Sequence, residues 1–189
     1  MSLDGFIGGP DQSLAEPLGV GGMQLLQWQS SKDDADTAAL DELLGPMGAC
    51  VMGRNMFGPI RGSWSGDWRG WWGDDPPYHC PVFVLTHHER EAIKLSGGTT
   101  FYFVTDGFPA ALARAREAAG DKDIRIAGGA ATVRQALAAQ AIDDIHLDII
   151  PVALGSGETI FGQSSGATFT QLEVRRATSY AHIHYGVSY

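Results

Sequence analysis

Three short stretches, each directly after an apolar run, carry the residue types that meet phosphate and ribose. In IRIAGGAATVRQAL (124–137) an apolar run ends in Gly128-Gly129 and a helical pattern begins at once with Ala130. Glycine lets a phosphate approach the backbone, and a new helix points free N–H groups at it. Thr132 adds a hydroxyl. The same stretch also reads as an ordinary tight strand–helix turn. In Gly53-Arg54-Asn55 the arginine can fork onto a phosphate while the glycine opens the backbone; the plainer reading is a surface arginine. Thr86-His87-His88 offers a hydroxyl and imidazoles suited to a ribose or its phosphate. Ligands of open α/β sheets gather at the carboxyl ends of strands. Three such stretches together favour a dinucleotide more than any one does.

Other residues have two readings. Trp64, Trp68, Trp71 and Trp72 crowd a Gly/Trp/Pro-rich segment, 58–79. They form a stacking wall for a planar substrate, in which Trp68, Trp71 and Trp72 would bind it, or a lid packed on the core. Asp4 either orients a ligand and relays a proton or caps the turn at Gly5. His182 and His184 share one face of a strand and have the side chains of a metal site. No third ligand of known geometry accompanies them, so they read as solvent-facing polar residues, and no metal is expected. Cys50 lies in an apolar run and reads as a small buried hydrophobe; Cys50 and Cys80 form no CxxC pair, which fits a reducing, cytoplasmic setting.

Composition limits the function classes. Among 189 residues, 13 Lys and Arg stand against 22 Asp and Glu, a formal net charge of −9. That balance disfavours nucleic acid and an anionic membrane surface, yet leaves room for a locally positive pocket. No apolar stretch approaches the ~20 residues of a membrane span, and no signal peptide is visible at the N-terminus. Hydrophobic residues make up 44%, enough for a packed core.

The elements that would position these groups can be read in order. Leu3 to Ile7 forms a short strand that runs into Gly-Gly-Pro-Asp. A chain starting in mid-strand is unusual, and the sequence alone leaves open whether that N-terminal strand is truncated. Residues 10–31 read as a loop, and 33–45 as a helix with aspartates in its first turn and Gly45-Pro46 at its end. Strands follow at 49–52, 82–85, 101–104 and 124–127, with helices at 109–119 and 130–141. Ile145, Leu147 and Ile149 alternate with His146 and Asp148 as a half-buried strand. The tail from Phe169 to Val187 reads as an antiparallel hairpin. The order predicts a single α/β domain over 1–189, a three-layer α/β/α sandwich. Its central sheet is mixed and mostly parallel, with the antiparallel hairpin at the C-terminus and 58–79 as an inserted loop.

SLDGFIGGPD, VMGRNMFG, PVFVLTHHERE, FYFVTDG, RIAGGAATVRQAL and DIHLDIIPVALGSGETIF occur in this order. As an ordered set they resemble the dihydrofolate reductase-like superfamily, in particular the C-terminal reductase domain of bacterial riboflavin biosynthesis. The resemblance implies a dihydrofolate reductase-like fold and an NADPH-dependent reductase. Gly53, Arg54, Asn55, Thr86 and His87 would hold the adenosine side and its 2′-phosphate. Gly128, Gly129, Ala130 and Thr132 would hold the pyrophosphate, and Asp4 and Ile7 would flank the nicotinamide. The chain departs from that pattern at Ala127, where riboflavin-pathway reductases usually carry Glu, and it has no zinc deaminase half.

The expected activity is hydride transfer to a C=N or C=O of a small planar heterocycle that is pterin-, pyrimidine- or flavin-like. The alternative is a non-catalytic nucleotide-binding module that retains the fold. A homodimer is expected, with Phe169, Leu172, Ile183 and Tyr185 supplying an apolar surface at the hairpin edge.

Overall fold

The computed structural model describes residues 1–162 and 166–189. In chain order the elements begin with a 3-10 helix (Gly22–Ser30), α1 (Asp34–Leu44), β1 (Ala49–Gly53), α2 (Arg54–Phe57), β2 (Pro81–Leu85) and β3 (Ile93–Lys94). They continue with β4 (Thr100–Val104), α3 (Gly107–Ala119), β5 (Ile124–Gly128), α4 (Ala130–Ala138), β6 (Asp144–Ile149), β7 (Thr168–Arg176) and β8 (Ala181–Ser188). The chain divides into two compact units, Leu44–Gln135 and Met1–Leu43 with Ala136–Tyr189.

The unit Leu44–Gln135 holds a five-stranded mixed sheet in the order β3-β4-β2-β1-β5. β4, β2, β1 and β5 run parallel, and β3 pairs antiparallel on β4. β1 (ACVMG) and β2 (PVFVL) are apolar on both faces because both faces are covered. α3 turns Phe108, Ala111, Leu112, Ala115 and Ala119 inward, the spacing of one helical stripe, and packs on β1 and β2. The core beneath the sheet is built from Met47, Cys50, Met52, Phe57, Cys80, Val82, Val84 and Phe101.

The other unit holds a three-stranded antiparallel sheet in the order β6-β8-β7. The expected C-terminal hairpin is therefore present as β7 and β8. α1 is capped by Asp33, whose carboxylate accepts from the N–H of Ala35 at 3.0 Å and also holds Thr178. Leu25, Trp28, Ala39 and Ile150 form this unit's core cluster.

Several expectations change. Leu3 to Ile7 is not a strand: only Ser2 and Gly8 make isolated bridges, to Ile150 and Glu158. Between them the Ser2 hydroxyl accepts from the N–H of Phe6 and Gly5 takes a φ of 90°, so the segment curls into a turn. The stretch 10–31 contains the 3-10 helix, which buries Leu25 and Trp28 three residues apart. α4 stops at Ala138, and Gln140 takes a left-handed φ of 52°. Ile93–Lys94 adds a short strand that its two-residue length hid from pattern reading.

Candidate functional site

The candidate site lies at the carboxyl edge of the parallel strands in the unit Leu44–Gln135. From β1 the chain builds the sheet outward through β2 and β4, and β5 then returns to the other side of β1. The direction of building thus switches beside β1, the place where such sheets bind ligands. Gly53 ends β1, Gly128 ends β5, and Met52 faces Gly128 across a register shift.

Both glycine stretches are sterically specified. A Cβ on Gly53 would stand 2.6 Å from the Thr132 hydroxyl, so glycine is what allows the start of α4 to press against the end of β1. Gly128 has a φ of 99°, a conformation that favours glycine. A Cβ on Gly129 would meet nothing within 4 Å, so the backbone there faces open space. The Gly129 carbonyl accepts from the N–H groups of Thr132 and Val133 as α4 begins. Ala130 and Thr132 are buried, and the Thr132 hydroxyl sits against Gly53.

The cationic part surrounds Trp64. The Arg54 guanidinium carbon lies 3.7 Å from the Trp64 ring centroid, and that of Arg90 lies 4.9 Å from it. Trp64 is fixed by an Nε1–H donated to the His88 carbonyl at 2.9 Å. Arg90 donates from Nη2 to the Trp68 carbonyl at 2.6 Å. Among the described residues, Nε and Nη2 of Arg54 and Nη1 of Arg90 are buried without a hydrogen-bond partner. Burial, with the nearby positive charges of Arg61 and Arg90, holds Arg54 below the usual arginine range. Burial lowers Arg90 as well, opposed by the charge of Asp67. Sequence reasoning missed Arg90, which sits in a charged run, HERE, that looks like solvated surface. Its only signal there is an arginine close in sequence to a strand end.

The remaining residues of the Thr-His stretch are placed as follows. Thr86 is buried, and its hydroxyl accepts from the His88 N–H at 3.1 Å, so this hydroxyl is used by the local turn. His87 and Asn55 are exposed.

The tryptophans divide. Trp68 donates its Nε1–H to the Phe57 carbonyl at 2.9 Å, passes over Gly58, and packs on the core of the sheet. Trp71 meets it edge-on at 4.7 Å between centroids. Trp71 and the exposed Trp72 line a small cavity with Met52, Phe57, Tyr78 and Phe101. Burial pushes the Tyr78 hydroxyl upward, so it stays protonated.

Asp4 and Ile7 belong to the other unit. The Asp4 carboxylate accepts from the N–H of Leu154 at 3.1 Å and of Gly155 at 2.7 Å. It therefore caps a turn, though at Leu154-Gly155 and not at Gly5. Hydrogen bonds from Ser2 and Gly155 hold its carboxyl below the ordinary range, which disfavours a proton-donating role. The Ile7 N–H donates to the Glu158 carbonyl at 2.8 Å.

His182 corrects the expectation of a solvent-facing side chain. It is 6% exposed, with Nδ1 at 2.7 Å from Asp148 and Nε2 at 2.7 Å from Asp36. Polar alternation on β8 hid this, because the carboxylates come from α1 and β6. His184 bonds Asp144 and stacks on His146. Among the described residues no group of three His, Cys, Asp or Glu side chains is placed to hold a metal. Nor is any helix long and apolar enough to cross a membrane.

Comparisons with known proteins bear on the family and the fold. The model of the RibD C-terminal domain family matches residues 1–183. The uncharacterized protein YwjB of Bacillus subtilis (strain 168) is 34% identical over 109 residues, 54% of this chain. The match spans 62% of that relative's length. Among solved structures, a putative riboflavin biosynthesis protein from Shewanella sp. PV-4 superposes with a TM-score of 0.70 at 23% identity, covering 100% of this chain and 96% of that one. Dihydrofolate reductase from Enterococcus faecalis, complexed with NADP(H), gives 0.57 at 13% identity over 100% and 93% of the two chains. A pyrimidine reductase-like protein from Corynebacterium diphtheriae gives 0.53 at 17% over 83% and 82%. At these identities the three structures show a shared α/β fold.

Proposed function

The chain belongs to the RibD C-terminal domain family, and on that premise we propose that it is an NADPH-dependent reductase of a small planar heterocycle. The carrying observation is the backbone left open at Gly129 on the same sheet edge as an Arg54 whose buried N–H groups lack partners. Both features fit a phosphorylated dinucleotide. When bound, NADPH supplies a hydride, here to a C=N or C=O carbon. Gly128, Gly129 and the first turn of α4 receive a pyrophosphate without a side chain in the way. Gly53 and Thr132 keep β1 and α4 close enough for one ligand to touch both. Arg54 meets a phosphate with donors that nothing else uses, and Asn55 and His87 stand exposed nearby to bind the adenosine side. Trp71 and Trp72 offer a flat apolar wall to the substrate ring, while Trp68 holds that wall on the core.

The buried free thiols Cys50 and Cys80 support a reducing, cytoplasmic setting. A second copy is proposed to pair along β7, a nine-residue edge strand with Phe169, Leu172 and Val174 exposed; Ile183 and Tyr185, expected in that surface, stand on the central strand β8 instead. Light scattering at micromolar concentration would then give twice the chain mass.

The direct test is a fluorescence titration with NADPH and NADH, followed by NADPH oxidation against a panel of pterins, pyrimidines and flavins. Saturable binding of NADPH and turnover of one panel member are expected. A chain that binds neither cofactor is not a reductase of this kind; one that binds NADPH and turns over nothing retains only the nucleotide-binding part.

A further inference from the structure

One face of the three-stranded sheet carries charge across all its strands. Between β6 and β8, His146 pairs with His184 and Asp148 with His182. Between β7 and β8, Glu173 pairs with His184 and Arg175 with His182. Residues paired directly share a face, and Asp144, two residues before His146, joins them. α1 lies over this face and is held at two places. Near its start Asp36 meets Nε2 of the buried His182, and Asp33 holds Thr178. Near its end Glu42 accepts from Nη1 and Nη2 of Arg175. The first hold is buried; the second reaches solvent, with Glu42 48% and Arg175 26% exposed.

We propose that His146 is an acid-sensing latch: neutral, it stacks on His184, and protonated, it leaves that stack for Glu42 and loosens the C-terminal end of α1. The two rings lie 4.1 Å apart between centroids with their planes 13° from parallel. Their partners are unequal. His184 has Asp144 at 2.7 Å on Nε2, whereas His146 has Glu42 at 3.8 Å from Nδ1, too long for a hydrogen bond. Two imidazoles stacked face to face tolerate one charge better than two. Partial burial, and then the His184 ring, hold His146 below the ordinary histidine range, against weaker attraction from Glu42, Asp144 and Asp148. The other charged groups of the seam are Asp36, Glu173, Arg175, His182 and the Met1 amine, which donates to the Asp148 carbonyl. A histidine held low by folding contributes stability above its unfolded value and loses it as pH falls through the folded one. Once charged, the His146 ring draws Glu42 toward β6. A carboxylate drawn toward β6 grips Arg175 on β7 less well. The buried hold at Asp36 takes no part in that exchange, so the Glu42 end of α1 gives first.

The full chain, His146→Gln and His184→Phe test the latch. Histidine ring signals are followed by NMR from about pH 7.5 to about pH 5.5, the range in which histidine changes charge. Amide exchange along α1, corrected for its intrinsic pH dependence, is measured at both ends of that range. In wild type the His146 ring should titrate below the ordinary range and lose its ring-to-ring proton contact with His184 as it does so. Protection in the last turn of α1 should fall about two- to fivefold, the worth of a half-exposed charge contact. His146→Gln should lose less than about half as much. His184→Phe keeps a flat ring to stack on without a charge, and should raise the His146 midpoint. Equal loss of protection in wild type and His146→Gln would put the proton on a carboxylate and overturn the latch. So would a His146 midpoint at or above the ordinary range, or a stack that persists once His146 is charged. A loss spread evenly over α1, β6 and β8 would be acid unfolding of the whole unit, and overturns it too. If His184→Phe does not fold, wild type and His146→Gln decide.

Discussion

The two units treat their charged side chains in opposite ways. In the unit with the three-stranded sheet, His182 has a carboxylate on each ring nitrogen, both at 2.7 Å, and Arg175 is shared by Glu42 and Glu173. In the unit with the five-stranded sheet, the half-buried Arg54 and Arg90 stack on aromatic rings and keep buried donor atoms without a hydrogen-bond partner. Charges satisfied within the protein hold elements together. Charges left unsatisfied at a strand edge raise the free energy of the empty state and make a ligand that meets them bind better. The comparison predicts that breaking the first set lowers stability, whereas breaking the second lowers affinity.

The largest effect is expected at His182. His182→Ala would leave Asp36, 2% exposed, without that partner. Removing one member of a buried pair costs about 3–5 kcal/mol. For a chain of this size that is a fall of roughly 6–20 °C in Tm, read by calorimetry. The double variant Asp36→Leu/His182→Leu should recover much of the loss, since the carboxylate then left without its partner is Asp148, which at 30% exposure reaches solvent. A single variant that melts like wild type would mean this network does not hold α1 to β8.

Next come the tryptophans, which test whether the aromatic loop belongs to the core or to the site. Trp68→Leu removes a packed ring and its bond to Phe57, and should cost about 2–4 kcal/mol. Trp72, 56% exposed, should lose under about 1 kcal/mol on the same change and show its effect in substrate turnover. Equal destabilisation by both would make the whole segment a lid on the core.

These contrasts show what the sequence could reveal. Apolar runs ending in Gly53 and Gly128 are local signals, and the structure places both at one sheet edge. Helices α1 and α3 are likewise written locally, in the first-turn aspartates and the alanine stripe of 107–119. What could not be read was pairing across long separations. Asp36, Asp148 and His182 come from three elements, and nothing in β8 alone marks His182 as buried. Arg90 was hidden for the same reason: its partners are Trp64 and Trp68, more than twenty residues earlier. The N-terminal strand failed because the Ser2 hydroxyl closes a turn that a hydrophobic pattern does not register.

On the cationic side, Arg54→Ala should weaken NADPH about tenfold to a hundredfold and leave NADH nearly unchanged, from the roughly 1.5–3 kcal/mol of a charge-assisted contact. Its melting temperature should fall only by the worth of the stacking on Trp64, about 0.5–2 kcal/mol, because Nε and Nη2 make no hydrogen bond within the protein. A variant that is strongly destabilised but binds both cofactors normally would place Arg54 with the structural charges and erase the contrast between the units.

The smallest effect is expected at Glu42, which tests whether the satisfied charges matter equally wherever they sit. Arg175 donates to both Glu42 oxygens, at 2.8 and 3.0 Å, and also to Glu173. Hydrogen bonding by Arg175 holds the Glu42 carboxyl below its ordinary value, against a smaller opposing effect of burial. A carboxyl lowered on folding contributes stability above its unfolded pKa and loses it as pH falls through the folded one. Glu42 is nearly half exposed, at 48%, so solvent screens the pair. Glu42→Gln should therefore cost less than about 1 kcal/mol near neutral pH. The difference from wild type should shrink as the medium is acidified through the carboxylate range, and also with added salt. His146, 3.8 Å from the same carboxylate, would add a small attraction only where its ring is protonated. Melting curves of both proteins from neutral to acid pH give the comparison. A gap that widens on acidification would mean that Glu42 is stabilised in its neutral form, and that the bidentate pair with Arg175 does not determine its charge state.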